Sequence, residues 1–265
     1  MLRTLRAVPT LLRIGFAEAV AYRAEFVVWL LATNMPLVML ALWTAVARDG
    51  PVGRYGQAEF TAYFLAALVV RLLTGAWVIW ELTFEIRQGT LAYRLLRPVH
   101  PLVAYACENV AAMPLRLALS LPVAGILLFT VGGDHVTRDP LLIALFPVTV
   151  LGAWLITFLA MAIVGTLAFR LDSATSLFEI WMGLFGVLSG YLVPLDLFPP
   201  WVGALSRVLP FRYMLAFPVE LVTGALDRTA ALQNFAAQWL FVAVLFVGVT
   251  AAWRLGIRRY AAFGG

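Results

Sequence analysis

Few residues of this chain could carry out covalent or metal chemistry. The sequence contains one cysteine, Cys107, and two histidines, His100 and His135, and its 19 basic residues are all arginine. Without lysine the chain lacks the amine of a Walker A motif and the amine that binds retinal or pyridoxal phosphate as a Schiff base. A lone cysteine excludes an intramolecular disulfide, and two separated histidines exclude a histidine-rich metal site. We therefore expect no catalytic, cofactor or metal-binding residue on this chain.

Two charged residues are candidates for a role inside the membrane. Arg71 lies near the middle of the apolar run 60–80, where an unpaired arginine costs at least ~2.5 kcal/mol, so it should face protein or water. Glu179 lies at the start of a later apolar run, about 8 to 10 Å nearer the cytoplasm at 1.5 Å of rise per residue. A direct ion pair would therefore require Arg71 to extend inward. A structural pair is the favoured interpretation, and a role in the substrate path is the alternative.

The composition requires apolar elements to position these charges. Of the 265 residues, 63% are hydrophobic and 12% are charged, against about 25% charged in a typical soluble domain. Mean hydropathy is +0.93, which predicts one integral membrane domain. The continuous apolarity favours helices over barrel strands, and about 20 residues are needed to span a bilayer. Six windows approach or exceed that length: 26–47, 60–80, 117–133, 140–169, 176–194 and 229–253.

The arginines outside the spans predict the orientation. With the N-terminus in the cytoplasm, about twice as many arginines fall on the inner side as on the outer side, which favours both termini inside. Arg13 and Glu18 interrupt the apolar core that a signal peptide would need. Residues 1–24 are therefore expected to be a cytoplasmic segment. This segment is either an amphipathic helix with Leu12 and Phe16 on one face or a simple positive anchor.

The inner loop, residues 81–113, is long for a connection between bundle helices. Its first part predicts a short helix that runs to Arg87 and ends at Gly89, because glycine commonly ends helices. A second short helix is expected from Leu91 to Leu96, before two prolines stop it. The sequence thus predicts two short helices joined by a tight bend.

The second of these helices has a pattern typical of a docking surface. Leu91 and Leu95 are spaced to lie on one face, with Arg94 and Arg97 beside them. Apolar side chains with a cationic rim suit contact with a soluble partner. The alternative is that these arginines are ordinary anchors in the inner leaflet.

The inner loop resembles the first cytoplasmic loop of ABC-2-type transporter permeases. The resemblance rests on the run 85–91, EIRQGTL, and on the run 96–101, LRPVHP. Ala92 departs from the pattern, since many relatives place an acid after the Gly-Thr-Leu run. Contacts attributed to that acid are therefore not expected here.

An outer segment, residues 194–224, agrees with this resemblance. The run 190–201, GYLVPLDLFPPW, is similar to the family's exit from the fifth helix, and the runs 209–213 and 217–220 are similar to its outer re-entrant hairpin. The alternative is a proline-broken loop with interfacial aromatic residues. The candidate residues of this segment are Pro194, Asp196, Pro199, Pro200, Pro210, Phe211 and Arg212.

The resemblance implies an all-α membrane domain, residues 1–265, with six transmembrane helices, a cytoplasmic coupling helix and an outer re-entrant hairpin. It also implies pairing with a second permease, identical or homologous, and with two copies of a separate ATPase that holds ATP and magnesium. Relatives export drugs, antibiotics, lipids or polysaccharides from the bacterial cytoplasm. The implied contact with the ATPase consists of Glu85, Arg87, Gly89, Leu91, Arg94, Leu95 and Arg97.

Two other classes of protein remain open. An intramembrane enzyme acting on a lipid or peptide is disfavoured because the chain has no HExxH motif and Cys107 has no histidine at motif spacing. A carrier that needs no ATPase would use Arg71 and Glu179 as its coupling charges. No internal repeat of the kind common in such carriers is visible.

Overall fold

The computed structural model describes residues 2–22, 28, 34–130, 135–171 and 174–260, and these residues form helices and loops. Helices α1 to α7 are Leu2–Ala21, Met35–Val46, Gln57–Thr74, Val78–Gln88, Leu91–Leu95, Pro101–Ala111 and Met113–Thr130. Helices α8 to α13 are Pro140–Thr166, Ala174–Leu188, Pro200–Val208, Phe211–Met214, Ala216–Val222 and Arg228–Ile257. Two 3₁₀ turns lie between these helices, Leu167–Phe169 after α8 and Leu195–Leu197 between α9 and α10. The predicted all-α class is confirmed for this part of the chain.

Four helical stretches of the described chain are long and apolar enough to span a membrane. They are Gln57–Gln88, Pro101–Ile126, Pro140–Phe169 and Arg228–Ile257. The third matches the predicted window 140–169. Two predicted windows have no such stretch. The window 176–194 corresponds to the helix Ala174–Leu188, whose 15 residues are fewer than the roughly 20 that cross a bilayer perpendicularly. The first predicted window, 26–47, lies partly outside the described residues, and its described helix is Met35–Val46.

The second predicted span is the centre of the molecule. The apolar window of Gln57–Gln88 is 89% buried by the rest of the protein, whereas the window of Arg228–Ile257 is only 22% buried. Helix α3 packs against α2, α7, α8 and α12, while α13 packs mainly along α8. Small residues such as Ala62, Ala66 and Ala67 let the neighbouring helices approach α3 closely. Helix α13 keeps most of its apolar side chains outward, as expected of a helix that faces lipid.

Two interruptions divide the central span and the inner loop. Residues 75–77 separate α3 from α4, and Gly75 there has an extended backbone with φ −57° and ψ 138°. Gly89 ends α4 with φ +72°, a left-handed conformation that glycine adopts without steric cost. Helix α5, Leu91–Leu95, follows at once. The prediction of two short helices joined by a bend at Gly89 is confirmed.

The outer segment folds into short helices that pack into the molecule. Pro200 is the first residue of α10, a position that proline favours, and Pro210 directly precedes α11. Phe211 and most of α12 are buried, and α11 and α12 contact α8. A proline-broken segment is thus present, tucked against the long helices.

Candidate functional site

The inner loop is held by a cluster of charged side chains, Glu85, Arg94 and Glu108, with Tyr105. Arg94 donates from Nε to both carboxylate oxygens of Glu85, at 2.8 and 2.9 Å. Its Nη1 and Nη2 atoms donate to Glu108 at 2.6 and 3.2 Å. The hydroxyl of Tyr105 donates to Glu85 at 2.7 Å, and its ring lies 4.2 Å from the Arg94 guanidinium carbon. We call these four residues the inner ion cluster.

The inner ion cluster binds Arg94 firmly to its own chain. The side chains of Arg94, Glu85 and Glu108 are only 17%, 18% and 26% exposed. Burial disfavours the charged guanidinium, but the bonds to Glu108 and Glu85 outweigh burial and raise the pKa of Arg94. Because Glu85 is on α4 and Glu108 is on α6, Arg94 on α5 ties three helices together. The acids that Arg94 contacts in this structure belong to its own chain, and a contact with acidic groups of a partner stays a prediction.

The apolar side of the predicted docking helix is also different from the expected one. Leu91 is fully buried in the core of the chain, so it cannot insert into a partner. Leu95 is 39% exposed, whereas Tyr93 is 69% and Leu96 is 83% exposed. A five-residue helix that packs through Leu91 must present the opposite face outward. The face assignment failed because the sequence period does not say which face the core covers.

Four of the exposed residues of the inner loop define a surface that we call the loop surface. It consists of Arg87, Tyr93, Leu96 and Arg97. Arg97 and Tyr93 also line a cavity of 420 Å³ beside α1. Helix α1 packs on α6, where Gly15 lies against Ala111. A helix is thus present in the N-terminal segment, with Pro9 inside it, and its placement at the membrane surface stays a prediction.

Tyr260, directly after α13, fastens the inner loop from the other side. Its hydroxyl donates to the carbonyl oxygen of Gly89 at 2.6 Å and accepts from the amide of Ala92 at 3.1 Å. Its ring packs edge-on against Phe169, at 6.0 Å between centroids, and Phe169 packs in the same way on Trp253. The end of the last long helix thus contacts both sides of the bend. This contact was not predicted from the sequence, because it joins residues far apart in the chain.

A second charged region surrounds the break between α3 and α4. Arg116, on α7, is fully buried and donates from Nη1 to the carbonyl oxygen of Gly75, which the break releases from helical bonding. Its guanidinium carbon lies 4.8 Å from the ring centroid of Trp77. Atoms Nε and Nη2 of Arg116 have no hydrogen-bond partner. Glu81 bonds to the indole of Trp77.

Arg71 lies close to this break but not close to Glu179. Its guanidinium carbon is 5.5 Å from the ring centroid of Phe185, and the hydroxyl of Tyr191 lies near enough to interact with its charge. Its Nε atom has no partner. Glu179 is exposed on α9. Arg71 is half-buried against protein as expected, but the structure does not bring the two predicted intramembrane charges together.

Two ion pairs hold the outer segment, one to a neighbouring loop and one between two of its own helices. Asp196 pairs with Arg54 and accepts from the hydroxyl of Tyr55 at 3.0 Å. Arg212 donates to Glu220 at 2.6 Å, with the two side chains only 12% and 6% exposed. Burial raises the pKa of Glu220, and the charge of Arg212 opposes this rise. Both pairs hold the short outer helices in place.

The prolines of the outer segment shape its turns, and its aromatic residue fills the core. Pro194 precedes the 3₁₀ turn, and Pro199 precedes α10. Phe211 stacks on Trp181 of α9 at 4.4 Å between centroids. None of these contacts involves a group that could transfer a proton or attack a substrate. Among the described residues, no group of three or more His, Cys, Asp or Glu side chains could hold a metal ion.

This arrangement defines a class of protein. Several long apolar helices cross the molecule, charged residues gather where helices break, and a braced loop projects polar and aromatic side chains from one end. These features are those of a multi-pass helical membrane protein.

The family follows from comparison with known proteins. The family model described as ABC-2 family transporter protein matches residues 30–264. The chain therefore belongs to the ABC-2 family of transporter membrane proteins, whose members typically lack catalytic activity and, in general terms, act with an ABC ATPase. Among curated proteins, no sequence matches the chain significantly.

Proposed function

We propose that this chain is the permease subunit of an ATP-driven exporter that moves an amphiphilic small molecule, drug or lipid. The proposal rests on the inner loop of this ABC-2 family member. Arg94 joins three helices of the loop, and Tyr260 contacts its bend. A loop that must transmit force from a separate ATPase needs such bracing, because a flexible loop would absorb the motion. ATP and magnesium would then be bound by the ATPase and not by this chain.

The proposed assembly has two permeases and two ATPase copies. Residues 1–265 would form one membrane domain of six spans, with Met35–Val46 and Ala174–Leu188 belonging to the two shorter spans. Short apolar helices of this kind cross a bilayer when adjoining residues extend them or when the bilayer thins. The outer segment 194–224 would be the re-entrant hairpin. Both termini would lie in the cytoplasm of a bacterial cell, with the inner loop on the same side.

The contact with the ATPase is assigned to the loop surface. Leu96 and Tyr93 would supply the apolar contact, and Arg87 and Arg97 would face acidic groups of the ATPase. Arg94 and Leu91 would support this surface from behind.

Charge reversal of the loop surface tests this function. Arg87→Glu together with Arg97→Glu should reduce the ATPase that copurifies with the tagged chain about tenfold, because repulsion is added to lost attraction. Alanine at both positions should reduce it less. Arg48→Glu, the same change at an exposed arginine on the proposed outer side, is the matched control. The measurements are copurified ATPase and ATP-dependent transport in vesicles. If assembly is undiminished with both charges reversed, these arginines are anchors in the inner leaflet and do not contact the ATPase.

The two alternative functions gain no specific support. A carrier would need its coupling charges near each other, and Arg71 contacts Phe185 and Tyr191 while Glu179 is exposed. An intramembrane hydrolase would need a nucleophile or metal beside a base. ATP hydrolysis by the purified chain, free of partners, would overturn the proposal that ATP is bound elsewhere.

A further inference from the structure

The two arginines beside the helix break carry charge that no described acid balances. Arg71 lies in the stretch Gln57–Gln88 and Arg116 in the stretch Pro101–Ile126, both of which could span a membrane. Within the described part of the chain, no carboxylate forms an ion pair with either of them. Arginine stays protonated in proteins, so both charges persist. A buried charge without a counter-ion is costly, and this cost points to a function.

Their hydrogen bonds leave donors unused. Arg116 uses Nη1 on the carbonyl oxygen of Gly75 and keeps Nε and Nη2 unpartnered, although the residue has no exposed surface. Arg71 lies beside Tyr191 and keeps Nε unpartnered. Arg116 also lies near enough to Arg71 to feel its positive charge. The two cations thus repel each other, and an oxyanion bound at Arg71 would offset both charges.

A purely structural role explains only part of this arrangement. The carboxyl end of a helix carries partial negative charge, so a guanidinium on the Gly75 carbonyl stabilises the end of α3. That role accounts for one donor of Arg116. It does not account for the three donors that remain unpartnered or for a second cation close by. Glu81, the acid nearest to the break in sequence, bonds instead to the indole of Trp77.

The rings around the two arginines add an apolar side to the site. Trp77 lies under Arg116, and Phe185 lies under Arg71. Trp77 is partly exposed, whereas Phe185 belongs to the buried core and supplies an apolar wall behind Arg71. A guanidinium presents planar donors that match the oxygens of a carboxylate or phosphate. The combination fits a molecule with one anionic group and an apolar tail.

We propose that Arg71, with Arg116 behind it, binds the anionic group of the transported molecule, and that the cargo is an anionic amphiphile carrying a carboxylate or phosphate. This inference rests on the proposed export function and narrows its substrate class. Half-buried Arg71 makes the direct contact. Fully buried Arg116 strengthens the positive potential at the same place.

Three probes with one tail and different head groups test the charge preference. The full chain in nanodiscs of phosphatidylcholine is titrated with dodecyl phosphate, dodecanol and dodecyltrimethylammonium, and binding is followed by tryptophan fluorescence and by the thermal unfolding midpoint. Dodecyl phosphate should bind about tenfold more tightly than the other two, as expected for a charge-assisted hydrogen bond. Equal affinity for all three probes would overturn the proposal.

Variants of Arg71 locate the binding. Arg71→Gln should remove the preference for dodecyl phosphate, Arg71→Lys should keep most of it, and Arg48→Gln should leave it unchanged. Arg116 donates to the backbone at Gly75, whereas Arg71 donates to no backbone group in the described bonds, so variants of Arg71 should fold even if those of Arg116 do not. An unchanged preference in Arg71→Gln would sink the proposal. The proposal would also fail if Arg71→Gln weakened the pairing of two permeases and left probe binding unchanged. The counter-ion of Arg71 would then be a carboxylate of the second copy.

The test is independent of the ATPase. If no ATPase copurifies but the charge preference holds, the export mechanism fails and the anion site stands. If the ATPase copurifies and the preference is absent, the anion site fails and the permease assignment stands.

Discussion

Arg94 in the inner ion cluster and Arg116 beside the helix break are both largely removed from water, yet their surroundings are opposite. Arg94 has a carboxylate on each side and four charged hydrogen bonds. Arg116 has one carbonyl oxygen, one indole ring and two unpartnered donors. Burial alone therefore does not distinguish an arginine whose charge is paired from one whose charge is not. The position of the acids does, and it separates a braced region from the one that we propose binds an anion.

The largest effect should come from removing Arg94. Arg94→Ala leaves Glu85 and Glu108 facing each other without their shared cation, so the free energy of unfolding should fall by about 3 kcal/mol. Chemical unfolding of the purified chain in detergent measures this loss. Arg97→Ala, on the exposed loop surface, is the control and should change stability by less than about 0.5 kcal/mol.

A rescue variant makes that result specific. Glu108→Gln added to Arg94→Ala should restore part of the stability, because one of the two repelling charges is removed. If the single variant is as stable as the parent, the inner ion cluster does not brace the loop.

A smaller effect is expected at Tyr260. Tyr260→Phe removes the two hydrogen bonds to the bend and should cost about 1 to 2 kcal/mol. The bend should then move against the ATPase, so transport per ATP hydrolysed should fall while copurification of the ATPase remains. Tyr93→Phe removes a hydroxyl from an exposed tyrosine of the same loop and serves as the control. Equal losses in both variants would contradict a positioning role.

Replacement by methionine, an apolar side chain of similar length, should change stability less at Arg116 than at Arg94. Arg116→Met removes an uncompensated charge but leaves the Gly75 carbonyl without its donor. These effects oppose each other, so stability should change by about 1 kcal/mol or less. Arg94→Met, compared in the same unfolding assay, should lose far more. A loss at Arg116 as large as that at Arg94 would break the contrast between the two regions.

The smallest effect concerns pH and His100. Its Nδ1 atom accepts from the amide of Leu102 at 3.2 Å and caps α6, and burial lowers the pKa of His100. The unfolded histidine therefore takes up a proton at higher pH than the folded one. Stability should be constant above the ordinary value of about 6.5 and fall as the pH drops below it, by less than about 1 kcal/mol. In His100→Asn, which replaces the capping nitrogen with an amide oxygen, this dependence should be absent in unfolding curves between pH 5 and about 8.

The sequence predicted the parts of the fold that depend on local pattern. Apolar length located the span 140–169, and Gly89 located the end of α4, because each signal lies within one segment. The sequence did not reveal that Glu108 meets Arg94 or that Tyr260 meets Gly89, since both contacts join separate helices. Such pairings depend on how the helices pack.

Arg116 shows the same limit for the candidate site. It follows the inner loop by only a few residues, so charge counting placed it with the cytoplasmic arginines. Packing instead buries it against a carbonyl released by the break at Gly75. The apolar runs of the sequence reveal the charge of Arg116 at the edge of a span, but they do not reveal the helix break at Gly75. The pairing of Arg71 with Glu179 failed similarly, because rise per residue gives depth but not direction around the helix.

The contact between Tyr260 and the bend has a consequence for biosynthesis. Residues 89–92 leave the ribosome long before Tyr260, which follows the last long helix. Synthesis proceeds from the N-terminus, so the bend cannot take its final form until α13 has been made and inserted. Tight coupling of ATP hydrolysis to transport would thus await the synthesis of Tyr260. A chain that stops before this residue would present a bend held by Arg94 but not by the last long helix.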